Sequence, residues 1–180
     1  MERIPSRAEC LHLMKQHYMW DHIIQHSLKV AQVALFLAKA LNRTGERLNL
    51  GLIEASSLLH DITKKRSIEN KEDHVTTGAA LLKDLGYDRV SEIVKYHVRL
   101  PRRRSLKRIT EAEIVNYADK RVLHDRIVTL KERFADVKPR YAKNKHTLRQ
   151  INATEEESIK LEDKIFCKLS IDPSDIANLL

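Results

Sequence analysis

Residues 58–64 read Leu-Leu-His-Asp-Ile-Thr-Lys, so an adjacent histidine and aspartate follow a strongly apolar run. The pattern predicts a helix from about residue 50 to Ile62, followed by a charged loop at 63–70. Side chains at neighbouring helical positions point about 100° apart. His60 and Asp61 can therefore face one ion only near a helix end or beside a deep cleft, and the charged loop supplies such an end.

Further potential ligands stand on, or at the end of, apolar helix faces elsewhere in the chain: His26, His74, His97 and Asp119. Asp119 is the most informative, because Val115 and Val122 flank it at helical spacing. An unpaired polar group among aliphatic neighbours costs roughly 1–3 kcal/mol, and a bare carboxylate costs far more. One or two bound cations would remove this cost at all six positions together, which predicts a metal site.

Taken singly, these residues have simpler explanations. His26 alone is more often a satisfied core histidine than a ligand, and His22, one turn earlier, is a rival ligand or a partner of one. His74 follows two acidic residues, which favours an exposed first turn. A second His-Asp pair at 124–125 lies among basic residues and is expected at the surface. The prediction therefore depends on the ordered set of six.

The ligand types narrow the choice of metal. Imidazole and carboxylate together suit transition metals better than calcium, and six ligands exceed the three or four usual for a catalytic zinc site. The expected cofactor is one or two divalent ions, drawn from iron, manganese, nickel, zinc and magnesium. Two ions that share Asp61 as a bridge would use all six side chains and leave positions open for water.

Composition predicts a mostly helical protein. The chain has 180 residues with only 4 Gly and 4 Pro, too few turn residues for a β architecture. Helices are expected at about 6–17, 21–41, 50–62, 72–85, 88–97 and 110–123, with a last one capped by Thr154 and Glu157. Two distant cysteines, no signal peptide and no apolar run of membrane-spanning length predict a cytoplasmic protein without a membrane partner.

The formal charge of +8 is concentrated near the proposed ligands. Lys64-Lys65-Arg66 follows the His-Asp pair, and Arg99 and Arg102-Arg103-Arg104 follow His97. These clusters favour a polyanionic substrate, although a solvated basic face explains any single cluster equally well. Nucleic-acid binding also fits the charge, but an aromatic content of 5% argues against a stacking platform for single strands.

The ordered set resembles the H…HD…H…H…D signature of the HD superfamily of metal-dependent phosphohydrolases. It is most similar to the binuclear branch that includes the bacterial symmetrical diadenosine tetraphosphate hydrolases. Residues 58–64 and 117–120 are also similar to the corresponding family stretches, and the resemblance covers about residues 20–125. It implies an all-α helical bundle in which His26, His60, Asp61 and Asp119 hold one ion and Asp61, His74 and His97 hold a second.

The resemblance also implies roles around the metals. Lys64 matches a lysine that meets substrate phosphate, so Asp61 and Lys64 are the predicted catalytic residues, with Lys64, Arg99 and Arg102 as substrate contacts. The chain departs from the diadenosine tetraphosphate enzymes after His97, where Val98-Arg99-Leu100-Pro101-Arg102 replaces a stretch expected to be rich in threonine and glycine. The particular nucleotide therefore cannot be carried over.

The predicted function is a metal-dependent phosphohydrolase that cleaves a phosphoester or phosphoanhydride bond of a phosphorylated small molecule, with a nucleotide as the favoured substrate. The alternatives are a metal-containing nucleotide or RNA binding module without turnover, and a structural protein whose histidines are core residues. Residues 1–137 are predicted to form the phosphohydrolase domain, and residues 138–180 a helical C-terminal extension. The oligomeric state is left open.

Overall fold

Most of the described chain is helical, and the predicted all-α class is confirmed. The structure, a computed structural model, describes residues 3–101 and 107–180. Its helices are α1 (Arg7–Gln16), α2 (Asp21–Arg43), α3 (Leu50–Leu59), α4 (Lys64–Asn70), α5 (His74–Asp84), α6 (Asp88–Val94), α7 (Glu111–Lys120), α8 (Leu130–Tyr141), α9 (Lys145–Phe166) and α10 (Ile176–Leu179). Two short strands, β1 (Val122–Leu123) and β2 (Arg126–Ile127), pair antiparallel between α7 and α8.

Helix α2 is the element around which the bundle packs, because it contacts both α3 and α7. Its apolar residues recur at helical spacing and bury one face of the helix. Several of them are alanines, whose small side chains let neighbouring helices approach closely. The fully buried positions of this face include Val30, Ala31, Val33, Ala34, Leu37, Ala38 and Leu41.

Helix α3 ends three residues earlier than predicted, at Leu59. Residues 60–63 form a turn, and helix α4 follows at once over residues 64–70. The prediction of a charged loop at 63–70 was therefore wrong. Charged residues such as lysine and glutamate are good helix formers, and the buried Ser67 hydroxyl ties α4 to Thr77 of α5 at 3.0 Å.

The last long helix also begins elsewhere than predicted. Helix α9 starts at Lys145, where the Asn144 side chain accepts a hydrogen bond from the backbone N–H of Thr147. Thr154 lies inside this helix, and its hydroxyl donates to the Gln150 carbonyl at 2.9 Å. The Thr-x-x-Glu pattern is a capping box only at a helix start, so the predicted cap at Thr154 was wrong.

A buried arginine joins the C-terminal helices to the rest of the bundle. The Arg121 side chain is almost fully buried, and its guanidinium donates to the Val128 carbonyl at 2.6 Å and the Pro173 carbonyl at 2.8 Å. It also contacts Glu162 of α9 at 3.2 Å and the Tyr117 hydroxyl. One side chain therefore connects α7, the hairpin, α9 and the segment before α10.

The C-terminal segment shares the core of the protein. Leu161, Ile165, Phe166 and Ile176 are buried within the same apolar cluster as α2 and α3. The predicted boundary between residues 137 and 138 falls inside α8. The division into a domain and an extension stays a prediction, but residues 138–180 pack on the bundle as part of it.

None of the helices in residues 3–101 and 107–180 combines the length and the apolar character that crossing a bilayer requires. The cytoplasmic location stays a prediction.

Replacement of Arg121 by methionine is expected to destabilise the fold by about 3–5 kcal/mol. The change leaves the carboxylate of Glu162 and two backbone carbonyls without their buried cationic partner, and breaking a buried pair on one side carries a cost of this size. Urea unfolding followed by circular dichroism measures it.

The matched control is Arg126→Met, because Arg126 is exposed on β2. This control should unfold within about 0.5 kcal/mol of the wild type, as surface substitutions usually do. Equal stability of the two variants would show that the Arg121 contacts do not hold the C-terminal helices.

Candidate metal centre

Helix ends and one long helix bring the six predicted ligands together. His26 lies on α2, His60 and Asp61 lie in the turn after α3, and His74 is the first residue of α5. His97 follows the end of α6, and Asp119 lies in the last turn of α7. Because α3, α5, α6 and α7 pack around each other, their termini meet at one place.

The six side chains form two groups, within each of which the potential ligand atoms lie no more than 4.8 Å apart. The first group, called cluster 1, contains His26, His60 and Asp119. The second group, called cluster 2, contains Asp61, His74 and His97. His22, the rival candidate, is exposed, stacks on Trp20, and belongs to neither cluster.

Cluster 1 is built around one carboxylate oxygen. Asp119 Oδ1 lies 3.1 Å from His26 Nε2 and 3.6 Å from His60 Nε2. His60 is fully buried and Asp119 is buried. The three ligand atoms thus converge where solvent has little access, and this arrangement fits coordination of one cation.

Cluster 2 is built around the other buried carboxylate. Asp61 Oδ1 lies 3.5 Å from His74 Nε2 and 3.7 Å from His97 Nε2. The two imidazole nitrogens are themselves 3.3 Å apart. Asp61 Oδ2 turns the other way, toward His60 Nε2 of cluster 1 at 3.4 Å. The carboxylate of Asp61 therefore faces both clusters, which is the geometry a bridging ligand needs.

Backbone carbonyls fix the orientation of three imidazole rings. The Nδ1 atom of His26 lies 2.9 Å from the His124 carbonyl, that of His60 lies 2.8 Å from the Ser57 carbonyl, and that of His97 lies 2.6 Å from the Val94 carbonyl. A carbonyl only accepts, so each Nδ1 carries the proton and donates it. In the neutral rings each Nε2 then presents a lone pair to the clusters, as in metal-binding histidines.

Two atoms at the centre of the site provide the test of whether a metal fits. His60 Nε2 and Asp61 Oδ1 are buried and have no hydrogen-bond partner among the described residues. A buried unsatisfied polar atom costs about 1–3 kcal/mol, and more if it is charged. A cation between these atoms would satisfy both, so the residues present fit one or two divalent ions.

The pKa values of the site show where positive charge is favoured. Burial opposes charge on His60, but the carboxylates of Asp61 and Asp119 outweigh it and raise the pKa of the His60 imidazole to about 10. Burial, together with the charge of His60, lowers the pKa of His97 to about 3. Despite its burial, Asp61 has a pKa well below its usual range, because His60 and Lys64 stabilise the carboxylate. The two carboxylates thus remain ionised and attract a cation to the space between them.

Two lysines flank the clusters, and the sequence pointed to one of them. Lys64 is half-exposed, and its Nζ donates to Asp61 Oδ2 at 2.9 Å. Lys120 is buried beside Asp119, and its Nζ donates to the backbone carbonyls of His97 at 3.1 Å and Asn116 at 3.2 Å. Burial lowers the pKa of Lys120 to about 8. Lys120 could have been predicted as a site residue from the sequence, because it is next to Asp119 on a buried helix.

The clusters open into a cavity of about 510 Å³. His74, His97 and Asp119 lie on its wall, together with Lys64 and the exposed Arg99. Arg102, the remaining predicted substrate contact, lies outside the described residues, as do Arg103 and Arg104. Residues of α8 and α9, among them Arg133 of α8, form another part of the cavity wall. Sequence reasoning did not anticipate this part of the wall.

The second His-Asp pair, at 124–125, is exposed, as predicted, in the turn between β1 and β2. His124 has a φ of 58°, and its carbonyl is the acceptor for His26 Nδ1. The backbone of this turn, and not its side chains, therefore helps to orient a residue of cluster 1.

The chain is similar to proteins of two kinds. It is 32% identical over 142 residues to the tRNA (cytidine(56)-2'-O)-methyltransferase of Picrophilus torridus, a match that covers 72% of this chain and 40% of the relative. The enzyme of the same name from Thermoplasma volcanium is 34% identical over 98 residues, or 53% of this chain and 26% of the relative. The chain thus spans less than half the length of these methyltransferases. An uncharacterised protein of Methanocaldococcus jannaschii is 26% identical over 144 residues, with 73% of this chain and 84% of the relative covered.

A solved structure shares the fold. The crystal structure of a predicted HD superfamily hydrolase from an uncultured Thermotogales bacterium superposes with a TM-score of 0.54, at 19% identity, over 93% of this chain and 95% of that one. Residues 23–122, more than half of the chain, match the HD domain family. This stretch contains all six clustered side chains. The chain therefore belongs to the HD superfamily, as its His, His-Asp and Asp residues predicted.

Proposed function

We propose that this protein is a metal-dependent phosphohydrolase that cleaves a phosphoester or phosphoanhydride bond of a nucleotide. One observation carries the proposal: the buried carboxylate of Asp61 faces two histidine clusters at once, and its Oδ1 has no hydrogen-bond partner among the described residues. Membership of the HD superfamily supports the proposal. The binuclear branch is part of the proposal, with His26, His60, Asp61 and Asp119 as ligands of one ion and Asp61, His74 and His97 as ligands of the other.

Divalent ions in such a pair supply Lewis-acid activation of water and of phosphate oxygens. The chain's own residues provide the rest of the site. The Asp61 carboxylate lies between the two clusters and contacts both. Backbone carbonyls hold the rings of His26, His60 and His97, which keeps their Nε2 atoms in place. Rings that are already oriented need no rearrangement when substrate arrives, which lowers the cost of reaching the transition state.

Lys64 is the proposed phosphate contact. Its Nζ is held at Asp61 Oδ2 and lies on the wall of the cavity, so it can donate to a phosphate oxygen while it remains beside the clusters. The carboxylate raises the pKa of Lys64 despite the opposing effect of burial, which keeps the amine charged at neutral pH. Its charge would neutralise negative charge that develops on the phosphate. Arg99, and Arg102 three residues further along the sequence, are proposed to attract the substrate.

RNA is the alternative ligand, and one observation favours it. Two relatives are tRNA methyltransferases by name, although this chain spans 40% or less of their length. A metal-containing module that binds RNA without cleaving it would also use the basic residues around the cavity. Tight RNA binding without phosphate release under any metal would support this alternative.

Replacement of Asp61 by asparagine is expected to lower phosphate release by about a hundredfold or more. Loss of a group that merely supports a metal ligand costs roughly 10–100-fold in affinity or activity, and Asp61 is the proposed bridge. The assay is release of phosphate from a panel of nucleoside mono-, di- and triphosphates by protein loaded with Mn²⁺ or Fe²⁺. The control is Asp125→Asn in the exposed second pair, which should act as the wild type does, and equal activity of both variants would refute the assigned role.

Metal content provides a test that does not need a substrate. Elemental analysis of the purified protein is expected to give about two ions per chain, and His97→Ala should lower the ratio to about one because it removes a ligand of cluster 2 only. The control His22→Ala should retain the wild-type ratio. A chelator should destabilise the metal-loaded protein. The free energy of unfolding should fall by about 2.7 kcal/mol from its value in a solution whose free metal concentration is a hundred times the dissociation constant. A metal-free protein whose unfolding is unchanged by added metal contradicts the proposed centre.

Replacement of Lys64 by methionine is expected to lower kcat/KM by roughly a hundredfold, which is typical for loss of one donor to a developing anion. The metal content should stay at the wild-type value, so the effect can be separated from damage to the clusters. The control is Lys65→Met, next along α4, whose ammonium lies 6.0 Å from the centre of the Tyr18 ring. A Lys64 variant as active as the Lys65 variant would remove Lys64 from the mechanism.

A further inference from the structure

The cavity has two chemically different ends. One part of its wall, called the inner end, is formed by the cluster residues His74, His97 and Asp119 together with Lys64 and Lys120. The rest of the wall, called the outer end, combines polar side chains with the apolar or aromatic side chains of Ile68, Val98, Phe134, Val137, Tyr141 and Ile151. A ligand that fills the whole cavity therefore needs an anionic part joined to an apolar part.

Three exposed apolar or aromatic side chains belong to this outer end. Nine large apolar residues are exposed in the described part of the chain, and three of them, Ile68, Val98 and Tyr141, line this one cavity with exposures of 58%, 42% and 59%. Each comes from a different part of the sequence. Scattered exposed apolar residues need no explanation, but a contiguous apolar patch beside a candidate active site is typical of a ligand surface.

Helix α9 adds hydrogen-bonding groups to the apolar wall. Thr147, Gln150 and Thr154 lie one helical turn apart and all line the cavity. The Gln150 amide nitrogen lies 3.0 Å from His146 Nε2, whereas its side-chain carbonyl accepts no hydrogen bond from a described residue. An apolar surface with a few polar groups at its edge can distinguish ligands of similar shape by their donors and acceptors.

A half-buried arginine also belongs to the cavity wall. Arg133 of α8 lines the cavity, and its guanidinium makes no hydrogen bond or ion pair with any described residue. It lines the same cavity as Asp119 of cluster 1, and its charge helps to lower the pKa of that carboxyl. An arginine in this position can contact a phosphate or the ribose beside it, since its planar group presents several donors at once.

We propose that the outer end of the cavity, formed by α8, α9, Ile68 and Val98, binds the base of a mononucleotide whose phosphate lies at the two clusters. The placement of the phosphate depends on the proposed function. The base would stack on Tyr141 and pack between the aliphatic side chains, with Gln150 at its polar edge and Arg133 at the phosphate and ribose. A cavity of about 510 Å³ is within the usual range for small-molecule sites, roughly 300–1,000 Å³.

Equilibrium binding tests this subsite without requiring turnover. AMP, GMP, CMP, UMP and base-free ribose 5-phosphate are titrated into the Mn²⁺-loaded protein by calorimetry. At least one nucleotide is expected to bind about tenfold or more tightly than ribose 5-phosphate, because stacking and apolar contact contribute only when a base is present. Tyr141→Ala and Ile151→Ser should each weaken the binding of that nucleotide about tenfold and change the binding of ribose 5-phosphate less than twofold.

The matched control is Ile159→Ser, which lies on the same helix and is exposed outside the cavity. Tyr141 is itself mostly exposed, so its truncation should leave urea unfolding unchanged. The proposal is overturned if every nucleotide binds no better than ribose 5-phosphate, if none binds, or if both pocket variants bind as the control does. Base-selective binding without phosphate release from any nucleotide would reject the hydrolase function and retain the base subsite.

Discussion

Two ionised carboxylates inside an apolar bundle are the constraint on which the site depends. Asp61 and Asp119 are buried, and a buried charge is tolerated only with a partner of opposite sign. The surrounding protein supplies part of that partner through Lys64 and the ring of His60, whose pKa the carboxylates raise. The carbonyl-anchored ring of His97, whose pKa burial lowers, adds a neutral lone pair beside the same space. The space between the two carboxylates therefore favours positive charge, and the chain's own side chains supply only part of that charge.

Residues with strong local signals could be predicted well. His26 and Asp119 lie on apolar helix faces, so periodicity alone predicted that their side chains point inward. The His-Asp pair was predicted to need a helix end, and helix α3 ends about one turn before the predicted position. The charged segment 64–70 was misassigned because charge was taken to favour a loop, although lysine, arginine and glutamate have high helix propensity. Thr154 was misassigned because the same four-residue pattern occurs inside helices, where the hydroxyl bonds back to the preceding turn.

The part of the cavity wall that α8 and α9 form could not be predicted from local sequence patterns. Arg133, Val137 and Ile151 reach the site only because α8 and α9 fold back over it, and that path depends on contacts between residues distant in sequence. Arg121 is the clearest example, since its partners lie on the hairpin, on α9 and at residue 173. An arginine in a basic stretch of sequence is expected at the protein surface. Only the packed bundle shows that Arg121 is buried.

Three consecutive residues at the end of α7 have three separate partners. Asp119 belongs to cluster 1, Lys120 binds the carbonyls of His97 and Asn116, and Arg121 holds the C-terminal helices. The helix that bears Asp119 is thereby joined to the C-terminal helices, as it also is by the ion pair between Lys164 of α9 and Glu113 of α7. An insertion or deletion between Asp119 and Arg121 would therefore displace the candidate metal centre and the C-terminal helices together. The spacing of these adjacent positions is thus subject to two constraints at once.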